Sequence, residues 1–173
     1  MDAPVPLLTV QGRFYRAVRA DRVGEPLAPP GPESAGRYHR RGQPALYLSA
    51  SPLWASIAVS PYSREDGLKR VIVPVEIGPA RVADQRDAAA CAALGIDCAA
   101  SREPWRPALA RGEEPPSWRN GDAARAAGAD GIIDPSRHIP GGWHLALFRW
   151  NGLGGPLVSV CGEPVAAEPE TSV

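Results

Sequence analysis

Residues 36–52 read GRYHRRGQPALYLSASP, and the chain changes character twice within them. Residues 36–42 (GRYHRRG) set three arginines and a histidine between glycines, a compact cationic loop. Residues 44–50 (PALYLSA) then alternate as a half-buried strand does. That strand runs straight into Ser51-Pro52, an N-cap followed by proline at the first helical position, where a missing N–H is harmless. A short apolar helix over residues 53–59 follows, stopped before Pro61. A basic loop, a strand and a short helix in immediate succession leave no room for a long crossover.

Working outward, residues 13–19 (RFYRAVR) alternate aromatic or aliphatic with basic side chains and predict an earlier strand. Residues 20–35, rich in Gly, Pro and charge, predict a long loop between the two, a kind of segment that is often functional. Residues 69–77 (KRVIVPVEI) predict a β-branched strand closed by Gly78-Pro79. Asp84 caps an expected alanine-rich helix through residue 93, and prolines and charges over residues 99–116 predict another loop. Ser117 caps a helix over residues 118–127, ended by Gly128, and residues 131–134, 143–150 and 156–160 predict three further short strands. Strands outnumber helices and do not alternate with long ones. The expected fold is therefore a single α+β domain with a mixed or mostly antiparallel sheet and short helices. The domain is drawn over residues 1–162, with residues 163–173 as a disordered tail.

Composition narrows the function classes. Nineteen basic and nineteen acidic side chains balance, so no global field draws the chain to nucleic acid or to a membrane surface. Small anions need only a local basic cluster. The chain has no stretch of roughly 18 apolar residues to span a membrane and no basic, apolar leader. A soluble, cytoplasmic protein is expected. Cys91, Cys98 and Cys161 are an odd set without CxxC spacing and read as reduced thiols, with no zinc or disulfide framework. His39, His138 and His144 are too scattered for a metal site and read as satisfied or surface histidines.

Four constellations carry chemistry, each with a plainer reading beside it. The loop around Arg37 offers planar guanidinium forks and close backbone approach to a pyrophosphate, or is a solvated basic turn. Arg16 sits among apolar and aromatic residues, where an unpaired charge is costly; it either pairs with a carboxylate or awaits an anionic ligand. Tyr47 offers a ring face and a hydroxyl to a heteroaromatic ligand, or faces the core. In residues 131–138 (GIIDPSRH) an apolar strand ends in a polar cluster, where Ser136 serves a site or caps a turn. There is no GxGxxG, Walker loop, HExxH or GxSxG.

In order along the chain, Tyr15-Arg16, GRYHRRGQPALYLSASP and DPSRHIPGGWHLALFRWN resemble the RES domain family of bacterial toxins over about residues 13–160. The order and spacing of the three segments carry the resemblance, more than any single motif. The resemblance implies a fold related to ADP-ribosyltransferases and a toxin that consumes NAD⁺ by hydrolysis or phosphorolysis at the nicotinamide–ribose bond. It implies no metal, and a helix-turn-helix (Xre-type) antitoxin as partner, with no direct DNA binding by the toxin itself. A homodimer is left open. By position, Arg16 and Arg37 would hold the pyrophosphate and adjacent ribose, Tyr47 the nicotinamide side, and Ser136 the nicotinamide or its ribose.

The departure is at position 58. The family's glutamate, eleven residues beyond the tyrosine, falls on Ala58. Breaking an N-glycosidic bond builds positive charge on the ribose, and a carboxylate held against it is worth several kcal/mol. An inactivated chain is therefore expected. A deliberate Glu→Ala change in a protein toxic to its host is the favoured explanation. A takeover by Glu65 or Asp66, or a natural homologue kept for binding, are the others. Two functional alternatives stand beside NAD⁺ cleavage: mono-ADP-ribosyl transfer to a host protein, and a non-catalytic nucleotide- or antitoxin-binding module.

Overall fold

The computed structural model describes residues 3–167. Five strands set the frame: β1 (Leu8–Arg19), β2 (Leu46–Ser49), β3 (Arg70–Asp84), β4 (Gly131–Pro135) and β5 (Trp143–Leu147). Pairing runs β1-β2-β5-β4-β3 and returns through a long β1–β3 ladder, so the sheet closes on itself. Only β3 and β4 pair in parallel; the other ladders of the ring are antiparallel. Two short strands, β6 (Val158–Val160) and β7 (Val165–Ala166), pair antiparallel with β3. The result is the mostly antiparallel α+β domain that the alternating patterns predict.

Two expectations about strand length were too short, for one reason. Residues 69–77 continue through Gly78-Pro79 to Asp84 because Gly78 and Pro79 lie opposite the single residue Gln11, between the pairs Val10↔Ala80 and Gly12↔Ile77. A bulge is where a sheet tolerates a residue with no N–H to donate. Across it, Gly12 takes φ 110°, a value that favours glycine, and β1 extends back to Leu8.

Five helices cover the ring: α1 (Pro52–Asp66), α2 (Ala88–Leu94), α3 (Cys98–Arg102), α4 (Trp105–Ala110) and α5 (Ser117–Ala126). Ser51 caps α1 by accepting from the Trp54 N–H at 3.0 Å. The helix does not stop before Pro61. It runs through it to Asp66 and ends on Gly67 in the left-handed conformation. An interior proline costs about 3 kcal/mol, so packing of α1 against β1, β2 and β3 overrides the local preference. Asp87, and not Asp84, caps α2 by accepting from the N–H groups of Ala89 and Ala90. The loop expected over residues 99–116 contains α3 and α4, whose prolines Pro104 and Pro107 sit at the cap and first turn of α4. The strand expected over residues 143–150 ends at Leu147. Val165–Ala166, inside the expected tail, pairs with β3, and residues 168–173 lie outside the described residues.

Period-two alternation splits each strand between two sides. Leu46 and Leu48 of β2, Ile133 of β4, and Leu145 and Leu147 of β5 join Phe14, Val73, Val75 and Ile77 in the main core. Burying each such side chain contributes about 1.5–3 kcal/mol. The alternate residues Ile132 and Ala146 pack with Tyr38, Cys91, Ala124 and Phe148 in a second core under the helices. Tyr47, Ser49, Asp134 and His144 share that second side. Among the described residues no helix is long and apolar enough to cross a membrane.

Candidate functional site

The ends of β2, β4 and β5 on their second side, together with α1, α4 and the segment before β2, enclose a cleft of about 620 Å³. That is within the range of sites for small molecules and cofactors. Arg16, Arg37, Tyr47, Ala58 and Ser136 all line it. Residues spread over 120 positions of sequence thus meet in one place, because the ring brings β1, β2 and β4 to the same end.

Arg16 lies on β1 with the parity of buried Phe14 and Val18. Its guanidinium donates to the carbonyl oxygens of Pro26 at 3.2 Å and Tyr47 at 3.1 Å, and no carboxylate pairs with it among the described residues. Burial pushes its pKa down to about 10. Of the two readings open for Arg16, pairing with a carboxylate is therefore set aside. Arg37 repeats the pattern: its Nη1 donates to the carbonyls of Ser101 at 2.7 Å and Glu103 at 2.9 Å. Its pKa is lowered by burial and then by the neighbouring Arg137. Two guanidinium groups held by carbonyls and lacking counter-ions are poised for an anion.

Tyr47 is fixed by its hydroxyl, which accepts from the Tyr38 N–H at 3.1 Å and shares a hydrogen bond with His39 Nδ1 at 2.8 Å. Burial raises the pKa of both phenols, so both stay neutral. His39 is 3 % exposed, and its Nε2 has no hydrogen-bond partner among the described residues. Burial, with Arg125 and Arg16 nearby, pushes its pKa down to about 4. Gly36 makes the arrangement possible. A Cβ there would lie 2.7 Å from both His39 Nδ1 and the Tyr47 hydroxyl.

All three histidines line the cleft, against the expectation of satisfied or surface side chains. Scattered in sequence, they reach it from different places: His39 from the loop before β2, His138 from the turn after β4, and His144 from β5 by strand register. Ser49 of β2 pairs with His144 of β5, and His144 pairs with Asp134 of β4, forming one row across three strands. Within it Ser49 Oγ and His144 Nδ1 are 2.8 Å apart. Burial lowers the His144 pKa, so its ring is neutral at pH 7. Asp134, 6 % exposed, accepts from Arg137 at 3.0 Å, and Arg137 in turn donates to the Ser101 carbonyl at 3.1 Å. The pattern that signals this row is the parity of Tyr47 with Ser49 and of Ile132 with Asp134, which becomes visible only once the register is known.

Ser136 lines the cleft, but its hydroxyl also accepts from the N–H groups of His138 at 3.3 Å and Ile139 at 3.1 Å. It shapes its own turn and keeps one donor proton for another partner. Ala58 lies on the face of α1 that also carries Tyr62 into the cleft. Glu65 and Asp66 do not line the cleft. They lie on the last turn of α1, not in a loop, and are ion-paired to Arg106 at 2.6 Å and Arg70 at 2.7 Å. Trp105 and Arg106, from the segment expected to be a loop, complete the lining. Among the described residues no group of three or more His, Cys, Asp or Glu side chains is arranged to hold a metal ion.

A family model described as RES domain matches residues 13–163. No curated protein matches the chain. Among solved structures, the crystal structure of the M. tuberculosis MbcT-MbcA toxin-antitoxin complex contains a similar chain, with a TM-score of 0.62. The two are 16% identical, over 92% of this chain and 86% of that one, a likeness of fold.

Proposed function

We propose, because this chain belongs to the RES domain family, that it is the toxin of a bacterial toxin–antitoxin pair whose cleft takes NAD⁺ and breaks the nicotinamide–ribose bond. The observation that carries the reading is the pair of guanidinium groups, Arg16 and Arg37, held in the cleft by carbonyl oxygens alone. A diphosphate supplies the charge they lack, and their planar forks suit its oxygens. Tyr47, fixed by Tyr38 and His39, bounds the position of the nicotinamide and its ribose, and Ser136 has a hydroxyl proton to give there. The similar fold in a toxin–antitoxin complex supports an antitoxin as partner. A helix-turn-helix antitoxin of Xre type is the partner we assign. The site of action is the cytoplasm, where NAD⁺ is found.

In the reaction the C1′–N bond breaks, its electron pair leaves with a now neutral nicotinamide, and positive charge moves onto C1′ and the ring oxygen. The oxygen of water or phosphate then bonds to C1′. The arginines hold the diphosphate while the sugar flattens. Ala58 gives α1 no charge to set against the sugar, which leaves a slow enzyme. It also favours a second reading, a module that binds NAD⁺ or the antitoxin without turnover.

The test is calorimetric titration with NAD⁺ together with nicotinamide release, for the chain as it stands and for Ala58→Glu. Binding by both, with release at least about tenfold faster in Ala58→Glu, is expected, since one well-placed charge is worth several kcal/mol. Binding without release in either form selects the module. No binding by either form rejects the NAD⁺ assignment.

A further inference from the structure

We propose that Asp134, at the end of β4, is the carboxylate this cleft sets against the positive charge of the sugar, in place of a charge from α1; the proposal rests on the NAD⁺-cleaving reading above. Asp134 is the one acidic residue among the described residues that line the cleft, where Arg16, Arg37, Arg106 and Arg137 also lie. The other acids near α1 are spent elsewhere: Glu65 on Arg106 and Asp66 on Arg70, both outside the lining. A cleft walled by guanidinium groups suits a diphosphate and opposes a developing cation. Asp134 is the group present that reverses that field locally.

Its position is rigid. Asp134 is part of a ladder with β5, opposite His144, and Pro135 follows it opposite Trp143. Arg137, tied to the Ser101 carbonyl, fixes one carboxylate oxygen from the side. Arg37 also lies within electrostatic reach of Asp134, and the other facing groups add no further cation. The facing ring of His144 is neutral, and the Tyr38 phenol, whose pKa is raised by burial and by Asp134 itself, donates no net charge. Ser49, fixed to His144, and Ser136, two residues on from Asp134, add neutral hydroxyls to the cleft lining.

The step balances without proton transfer to the carboxylate. As the C1′–N bond breaks, nicotinamide leaves neutral with the bonding pair. The charge on C1′ and O4′ rests against Asp134 until the oxygen of water or phosphate bonds to C1′; with water, the surplus proton passes to solvent.

The experiment compares the full chain as it stands with Asp134→Asn, Asp134→Glu, Ala58→Glu and the double variant Ala58→Glu/Asp134→Asn. NAD⁺ affinity, steady-state nicotinamide release and thermal midpoint are measured for each. The expected result is slow release by the chain as it stands. Asp134→Asn then lowers kcat by about 10²-fold, of the size seen when one charge-stabilising group is removed, with NAD⁺ affinity within a few-fold. Asp134→Glu recovers part of the rate. The double variant stays active, because the charge now comes from α1. Should Asp134→Asn lose its fold by stranding Arg137, Asp134→Asn/Arg137→Gln removes both charges and serves instead. NAD⁺ binding without release by the chain as it stands, or release by Asp134→Asn at the unaltered rate, overturns the proposal and leaves the NAD⁺ reading intact. Absence of NAD⁺ binding in every form overturns that reading itself, and Asp134's role with it.

Discussion

Arginines on the outer surface and arginines in the cleft are the same side chain under two regimes. Outside, guanidinium groups meet carboxylates: Arg40 with Asp122 at 2.6 Å, Arg149 with Asp130 at 2.7 Å, Arg111 with Glu113 at 2.8 Å. Inside, Arg16 and Arg37 meet main-chain carbonyls, which satisfy the N–H groups but bring no carboxylate into contact. Surface pairs contribute little, about 0–1 kcal/mol each. The cleft arginines carry a desolvation cost that folding does not recover and that an anion would. On the proposed function, this mismatch is where the molecule has given up stability for binding.

The comparison breaks most sharply at Arg16. Arg16→Met keeps much of the side-chain volume, removes a desolvated charge and frees two carbonyls. NAD⁺ affinity is expected to fall by about 2–5 kcal/mol, the range for truncating a buried, hydrogen-bonded charge across an interface. The thermal midpoint is expected to hold or rise. Titration calorimetry and a melting curve on one preparation check both. A variant that melts early and still binds NAD⁺ would place Arg16 with the structural arginines.

His39 tests the same contrast from the neutral side. Its folded pKa, about 4, lies below the ordinary 6.5 because burial and the charges of Arg125 and Arg16 disfavour the imidazolium. Above pH 6.5 both folded and unfolded forms are neutral, and no stability is lost. As pH falls from 6.5 towards 4 the unfolded chain takes up a proton that the folded chain refuses, so stability drains away. Over that window the loss is up to about 3 kcal/mol. Urea unfolding at pH 7.5 and 4.5 should show the unaltered chain losing roughly 2–3 kcal/mol more than His39→Asn. Equal losses would mean that His39 takes up a proton in the folded state.

How far the sequence discloses this molecule depends on which forces act locally. The alternation in residues 13–19 and 44–50 marks β1 and β2, because a half-buried strand writes its two faces into its own residues, and the short apolar run at 131–134 marks β4, buried on both faces. Proline and glycine misled where tertiary contacts decide. Pro61 reads as a stop, yet α1 is held to Asp66 by the strands beneath it. Gly78-Pro79 reads as a strand end, yet the β1 bulge opposite absorbs both residues. The positions of Arg16, Arg37, Tyr47, Ala58 and Ser136 in one cleft follow from segment order and the family resemblance. His39 and Asp134 lie in segments singled out by their chemistry, but the row that joins Asp134 to His144 was out of reach, since cross-strand register makes it and no spacing along the chain encodes it.

The smallest expected effect sharpens the comparison at its boundary. Arg106 lines the cleft, stacks 5.2 Å from the centre of the Tyr62 ring, and turns outward to Glu65. It belongs to the matched class by partner and to the cleft by position. Glu65→Gln removes the partner without touching the cleft wall. Both side chains are about half exposed, so the melting point should stay within about a degree. The freed guanidinium then adds one more uncompensated charge facing the ligand. NAD⁺ affinity should rise by about two- to threefold at low salt, and the gain should vanish at about 1 M salt, where screening reaches only about 3 Å. A gain that survives high salt would show direct contact rather than a field. No gain at all would confine the cleft's anion-binding character to Arg16 and Arg37, the arginines that lack a carboxylate from the start.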